Sequence, residues 1–173
     1  MAASAAGRLR VAALLGLFAA GGALGAGAAP SAFDLAGRYT HGFRNGDVSG
    51  DNHLTTDELE IVARDRTHAV FDIHLNFFNG HECSLGGEAT LEGPVLVYRD
   101  PEPPLAGEPA CLLRIWREGA RIRWSDGENS CKSYCGARGS FMDGGMPWSS
   151  RRPMSRADRA GFLRGDAPDR QNP

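Results

Sequence analysis

The sequence predicts a mainly β fold: a single antiparallel meander forming a small barrel or sandwich and tied by disulfides. Three observations carry this. Apolar residues recur at every second position in short runs, of which Ala69, Phe71, Ile73, Leu75 and Phe77 form the longest. Turn signals such as Asn79-Gly80, Glu92-Gly93 and Glu118-Gly119 separate those runs. Four cysteines, Cys83, Cys111, Cys131 and Cys135, lie in a chain that opens with an export signal.

That signal comprises Arg8 and Arg10, an apolar run from Val11 to Leu24, and the small residues Ala26-Gly27-Ala28. Residues 1–28 are therefore expected to be a cleaved signal peptide and the protein to be periplasmic or secreted. The run is short for a span and is broken by Gly16, Gly21 and Gly22. No later run approaches that length, so no membrane span is expected after cleavage.

Residues 29–146 form the expected β domain, with 11 Arg and Lys against 18 Asp and Glu, a net of −7. That acidic body argues against a nucleic-acid partner. Residues 147–173 carry six Arg against three Asp, a net of +3, among few apolar residues and many helix breakers. This basic tail is expected to be largely disordered, with contact to the acidic body or to an anionic surface as alternatives.

Within the domain, Tyr39, His41 and Phe43 alternate as in a strand. The segment that follows, Asp47 to Glu58, resembles an EF-hand calcium loop. Ca²⁺ takes about six to eight oxygen ligands, and such a loop supplies them at positions 1, 3, 5, 7, 9 and 12. Here those are Asp47, Ser49, Asp51, the carbonyl of His53, Thr55 and Glu58, with Leu54 as the inward aliphatic residue. Asn52 replaces the usual turn glycine, and the Gly-rich entering stretch does not suit a helix. Thr55 and Glu58 are spaced as a capping box, which predicts a short helix near 55–66. The competing reading is a polar turn joining two strands, with Leu59 and Ile61 alternating in the second. Any calcium affinity is expected to be weak, about 10⁻⁴ to 10⁻³ M, and no other cofactor is implied.

The Asn79-Gly80 turn leads into a hairpin. Apolar matching sets Phe77 opposite Cys83, Leu75 opposite Leu85 and Phe71 opposite Ala89; a slip of one residue places Glu82 and Glu88 on the apolar face. Val95 to Tyr98 follows, then a Pro-rich loop from Pro101 to Pro109. A second hairpin through Glu118-Gly119 brings Ile115 near Ile122 and Leu113 near Trp124. With the first strand and one near Leu59 to Val62, the count is about six to eight strands.

These strand directions place all four cysteines at one end of the sheet. A link between Cys131 and Cys135 closes too small a loop to constrain much, so each is expected to bond to Cys83 or Cys111. The C-x3-C spacing with two isolated cysteines fits structural zinc poorly.

The segments F-F-N-G-H-E-C-S-L-G-G-E-A (Phe77 to Ala89), V-L-V-Y-R-D-P (Val95 to Pro101) and C-K-S-Y-C-G-A-R-G-S (Cys131 to Ser140) resemble those of small exported bacterial proteins of unassigned function. The resemblance implies a β-rich exported domain and no activity. In general plan the chain is also similar to periplasmic lysozyme inhibitors, through size, export and charge. No nucleophile elbow, paired-histidine metal motif or phosphate loop is present, and His41, His53, His68, His74 and His81 are scattered. The expectation is a non-catalytic binding or inhibitor-type module that engages another envelope or extracellular protein, with Arg138 as a contact. An EF-hand-type calcium-binding protein is the alternative, and an enzyme ranks third.

Overall fold

The inward side chains of the longest alternating run, Ala69, Phe71, Ile73 and Leu75, are all buried, while their neighbours face outward. That period of two recurs around the molecule and sets its architecture. The computed structural model describes residues 28–104 and 106–165. Eight strands run in chain order around one sheet, each antiparallel to the next. They are β1 (Gly37–Gly46), β2 (Asn52–Ala63), β3 (His68–Phe77), β4 (His81–Glu92), β5 (Val95–Arg99), β6 (Leu112–Glu118), β7 (Arg121–Ser125) and β8 (Gly144–Pro147). The sheet curls into a nearly closed barrel with a filled interior. Tyr39, Leu59, Ile61, Phe71, Ile73, Leu113, Ile115, Ile122, Phe141 and Met146 are among its fully buried side chains.

A seam separates β1 from β8. There Arg38 N–H donates to the carbonyl of Arg152 at 2.9 Å, Arg152 N–H returns the bond at 2.8 Å, and Thr40 N–H reaches Ser150 Oγ at 3.3 Å. Trp148 packs on Tyr39, with ring centroids 5.6 Å apart, and the Arg117 and Arg151 guanidinium groups lie over the indole at 4.2 and 4.9 Å.

Two short helices attend the barrel. In α1 (Ala32–Leu35) the Ser31 and Asp34 side chains form a reciprocal cap, and the buried Ala32 and Leu35 plug one end. The Tyr39 hydroxyl donates to the carbonyl of Leu35 at 2.7 Å, and burial pushes its pKa up to about 12. Helix α2 (Arg156–Arg164) is capped by Ser155 and ends at Gly165 in the left-handed conformation. It makes contact with β2, and Phe162 is its buried residue.

Several expectations are corrected here. No helix forms near 55–66; residues 55–63 continue β2 and 64–66 bend toward β3, because Leu59 and Ile61 enter the core while ladders to β1 and β3 hold both edges over Glu58 to Ile61. The β3–β4 partners are Phe77↔His81, Leu75↔Cys83, Ile73↔Leu85 and Phe71↔Gly87. The β6–β7 partners are Ile115↔Trp124 and Arg117↔Ile122. Both hairpins keep the expected inward faces and differ by two residues in pairing. Of the expected tail, residues 147–165 supply the end of β8, a 3₁₀ turn (Trp148–Ser150), the seam bridge and α2. Residues 1–27 of the expected signal peptide and residues 166–173 of the tail lie outside the described residues. Among the described residues, no helix is long and apolar enough to cross a membrane.

Candidate functional site: the disulfide-bearing loop end

Alternating strand directions gather four connections at one end of the barrel: the β1–β2 turn, the β3–β4 turn, the Pro-rich β5–β6 loop and the long β7–β8 loop. Both disulfides lie here. Cys83 bonds to Cys135 and Cys111 to Cys131, so the C-x3-C pair is joined to β4 through Cys83 and to the residue just before β6 through Cys111. Among the described residues no cysteine is free.

The β7–β8 loop is held by more than sulfur. Lys132 Nζ donates to the carbonyls of Gly136, Ala137 and Gly139 at 2.8, 3.0 and 2.8 Å, turning the loop around one ammonium group. Gly136 N–H donates to the Glu82 carbonyl at 2.7 Å, beside the bridge between Cys83 and Cys135. The buried Asp126 accepts from Cys131 N–H at 3.0 Å, and Ser130 ties the loop to Leu112. Such a network makes a poor hinge and a good platform.

Next to it, the hydroxyls of Tyr98 and Tyr134 both donate to the Asp100 carboxylate, at 3.3 Å for Tyr98. Burial, with the Asp100 charge behind it, pushes the Tyr98 hydroxyl well above its ordinary range; for Tyr134 the hydrogen bond to Asp100 is the first cause. Neither tyrosine is poised to ionise near neutral pH. Asp100, Glu102, Glu108, Tyr134 and the flanking prolines line a shallow cleft there.

On the N-terminal side of Glu58, over Asn52 to Asp57, the β1–β2 ribbon parts from β3 and forms a two-stranded arm. Asp57 ends the ladder by accepting Asn76 N–H at 2.7 Å, and burial raises its pKa. The arm is tied down at its tip, where Asn45 Nδ2 donates to the Phe77 carbonyl at 3.0 Å and Val48 N–H to Asn79 Oδ1 at 3.3 Å. Asn79 takes the left-handed conformation, φ 63°, that the Asn-Gly signal implies.

This geometry divides the six residues proposed for calcium. Asp47, Ser49 and Asp51 stay together at the turn, with the Ser49 hydroxyl within reach of both carboxylates. The Asp47 carboxylate also accepts the N–H groups of Ser49 and Asp51, at 2.9 and 3.2 Å; the Ser49 hydroxyl bond is the main reason its pKa is lowered. His53 and Thr55 stand on opposite strand partners, Asn45 and Phe43. Glu58 lies seven residues along β2 from Asp51, about 23 Å in an extended strand, and its carboxylate sits 3.1 Å from Arg38 Nε. The six are not brought to one point. Among the described residues, no group of three or more His, Cys, Asp or Glu side chains converges to hold a metal ion.

The histidines remain apart: His41 stacks on Phe43, His68 bonds Asp65 at 3.0 Å, and His74 lies 3.9 Å from Glu82 on the outer wall.

Arg138 is exposed at the loop end, with its guanidinium 5.5 Å from the centre of the Phe78 ring. Sequence reasoning missed what surrounds it. Five large hydrophobics are exposed among the described residues, and Val48, Leu54, Phe78 and Met142 all belong to this end; only Phe33 does not. The available signal was the doubled Phe77-Phe78, since alternation can bury one of the pair and must turn the other out. Compared with known families, curated proteins and solved structures, this chain has no match.

Proposed function

We propose that the chain is an exported, non-catalytic binding module of inhibitor type, which engages another protein of the cell envelope through the loop end of its barrel. One observation carries the reading: four of the five exposed large hydrophobics lie on the end whose loops are fixed by two disulfides and by Lys132. Exposed apolar side chains on a rigid frame lose little conformational entropy on docking, which is how a small surface gains affinity. Arg138 over Phe78 adds a guanidinium beside an exposed ring, and Arg is among the residue types enriched at interface hot spots.

The test compares two substituted proteins as baits in an envelope extract. Phe78→Ser combined with Met142→Ser is expected to lose a partner that wild type retains, whereas Phe33→Ser at the opposite end keeps it. Equal retention by all three removes the loop end from the function.

Calcium at the β1–β2 turn is the second reading, favoured by the approach of Asp47 and Asp51 to one hydroxyl. Two carboxylates and a hydroxyl fall short of a full calcium shell, so its role would be to stiffen the arm at millimolar Ca²⁺. Titration calorimetry of wild type against Asp47→Asn tests it; identical traces end the reading.

A further inference from the structure

We propose that the end of the barrel opposite the loops is a docking surface for anionic lipid, so that the protein sits peripherally on a membrane with its loop end facing away. The inference goes beyond the binding function and does not depend on it.

Charge is the first argument. The four connections of the loop end, residues 47–51, 78–80, 100–111 and 126–143, hold Asp47, Asp51, Asp100, Glu102, Glu108, Asp126, Glu128 and Asp143 against Lys132 and Arg138, a net of −6. At the other end, residues 29–36, 64–67, 93–94, 119–120 and 148–165 hold Arg64, Arg66, Arg151, Arg152, Arg156, Arg159 and Arg164 against Asp34, Asp65 and Asp158, a net of +4. A chain of modest overall charge is therefore strongly polar from end to end, and an anionic surface orients it.

The second argument is the apolar residue inside the basic patch. Phe33 is 53% exposed, the one large exposed hydrophobic of the described residues away from the loop end. It shares a shallow cleft with Met154, Pro153, Arg151 and Arg159. The Arg151 guanidinium donates to the carbonyls of Phe33, at 3.4 Å, and of Ala36. Arg66 is adjacent, its carbonyl accepting Ala32 N–H at 2.9 Å and its guanidinium reaching the Ala29 carbonyl at 3.4 Å. Two of the three carboxylates of this end are engaged locally, Asp34 in capping α1 and Asp65 with Thr67 and His68, while Arg64 meets Glu88 on the wall at 3.3 Å. An exposed aromatic ringed by arginines matches the interfacial zone of a bilayer, where the ring enters the acyl boundary and the cations meet phosphates.

The experiment pelletes the chain beginning at Ala29 with vesicles of phosphatidylcholine alone or enriched in phosphatidylglycerol. Binding is expected only to the anionic vesicles and is expected to weaken with salt. Arg156→Ala and Arg159→Ala should each reduce partitioning by about fivefold, Phe33→Ser should reduce it at both low and high salt, and Arg114→Ala on the barrel wall should leave it unchanged. Thermal melts check that each variant is folded. Equal binding to both vesicle types, no binding to either, or no response to the Arg and Phe33 substitutions overturns the proposal. So does binding of soluble heparin with the same Arg dependence but no pelleting, which would make the patch a site for acidic polymers.

Discussion

Glu60 is 2% exposed on the outer wall of β2, with Arg38 as its partner at 2.7 Å from Nε and 2.6 Å from Nη2. A buried carboxylate without its cation is costly, although the Arg38 side chain is 41% exposed and water would screen part of the loss. Arg38→Ala should therefore destabilise the fold by about 2 kcal/mol in chemical denaturation, against well under 1 for a surface arginine such as Arg114. Glu58 shares Arg38, and this changes what its substitution should do. Glu58→Gln is expected to lower stability slightly and to leave any calcium heat in calorimetry equal to that of wild type. A loss of calcium heat specific to Glu58→Gln would show that the strand rearranges around the ion. A calcium-loop motif presumes that twelve residues wrap around a point. Here β2 begins at Asn52 and carries the last ligand away. The cysteines were legible because strand direction alone decides at which end each one falls.

Alternation fixed which way each strand faces, but pairing of Phe71 with Gly87 instead of Ala89 leaves every face unchanged, so a two-residue shift is invisible to it. The same blindness hid the β6–β7 offset. Thr55 to Arg66 was ambiguous for a different reason: its capping-box spacing is a local preference, whereas ladders on both edges and core burial of Leu59 and Ile61 are tertiary. Strand β8 had no signal at all, since Gly-Gly-Met-Pro lacks β-formers apart from Met146. Its glycines answer to packing: a Cβ on Gly144 would lie 2.1 Å from Nε1 of the Trp124 indole. Gly144→Ala should accordingly cost about 1 to 3 kcal/mol by displacing that ring, seen as a lower denaturation midpoint and altered tryptophan fluorescence. An unchanged midpoint would mean that β8 can shift away from β7 freely.

Across the whole molecule the two disulfides span 52 and 20 residues, enough to restrict the unfolded chain substantially. On chain-entropy grounds they contribute about 4 and about 3 kcal/mol. Native protein should show no thiol titratable with a blocking reagent, and reduction should lower the thermal midpoint steeply. Two reactive thiols in the unreduced protein would contradict the pairing. The tail was the largest global feature the sequence concealed. Its composition reads as solvated chain, yet Arg151 and Arg152 find partners on residues more than a hundred positions earlier, a relation no local window contains.

The meander order bears also on the dynamics of the barrel. Every ladder joins strands adjacent in the chain, so the wall can zip up from local hairpins with low contact order. The seam alone must bring residue 38 to residue 152, and it does so with a single bridge. It should be the first line along which the native protein breathes. In native-state hydrogen exchange, the amides of Arg38, Thr40 and Arg152 are expected to exchange by local opening, well before those of Ile73 and Leu85 at the centre of the β3–β4 ladder, which should report global unfolding.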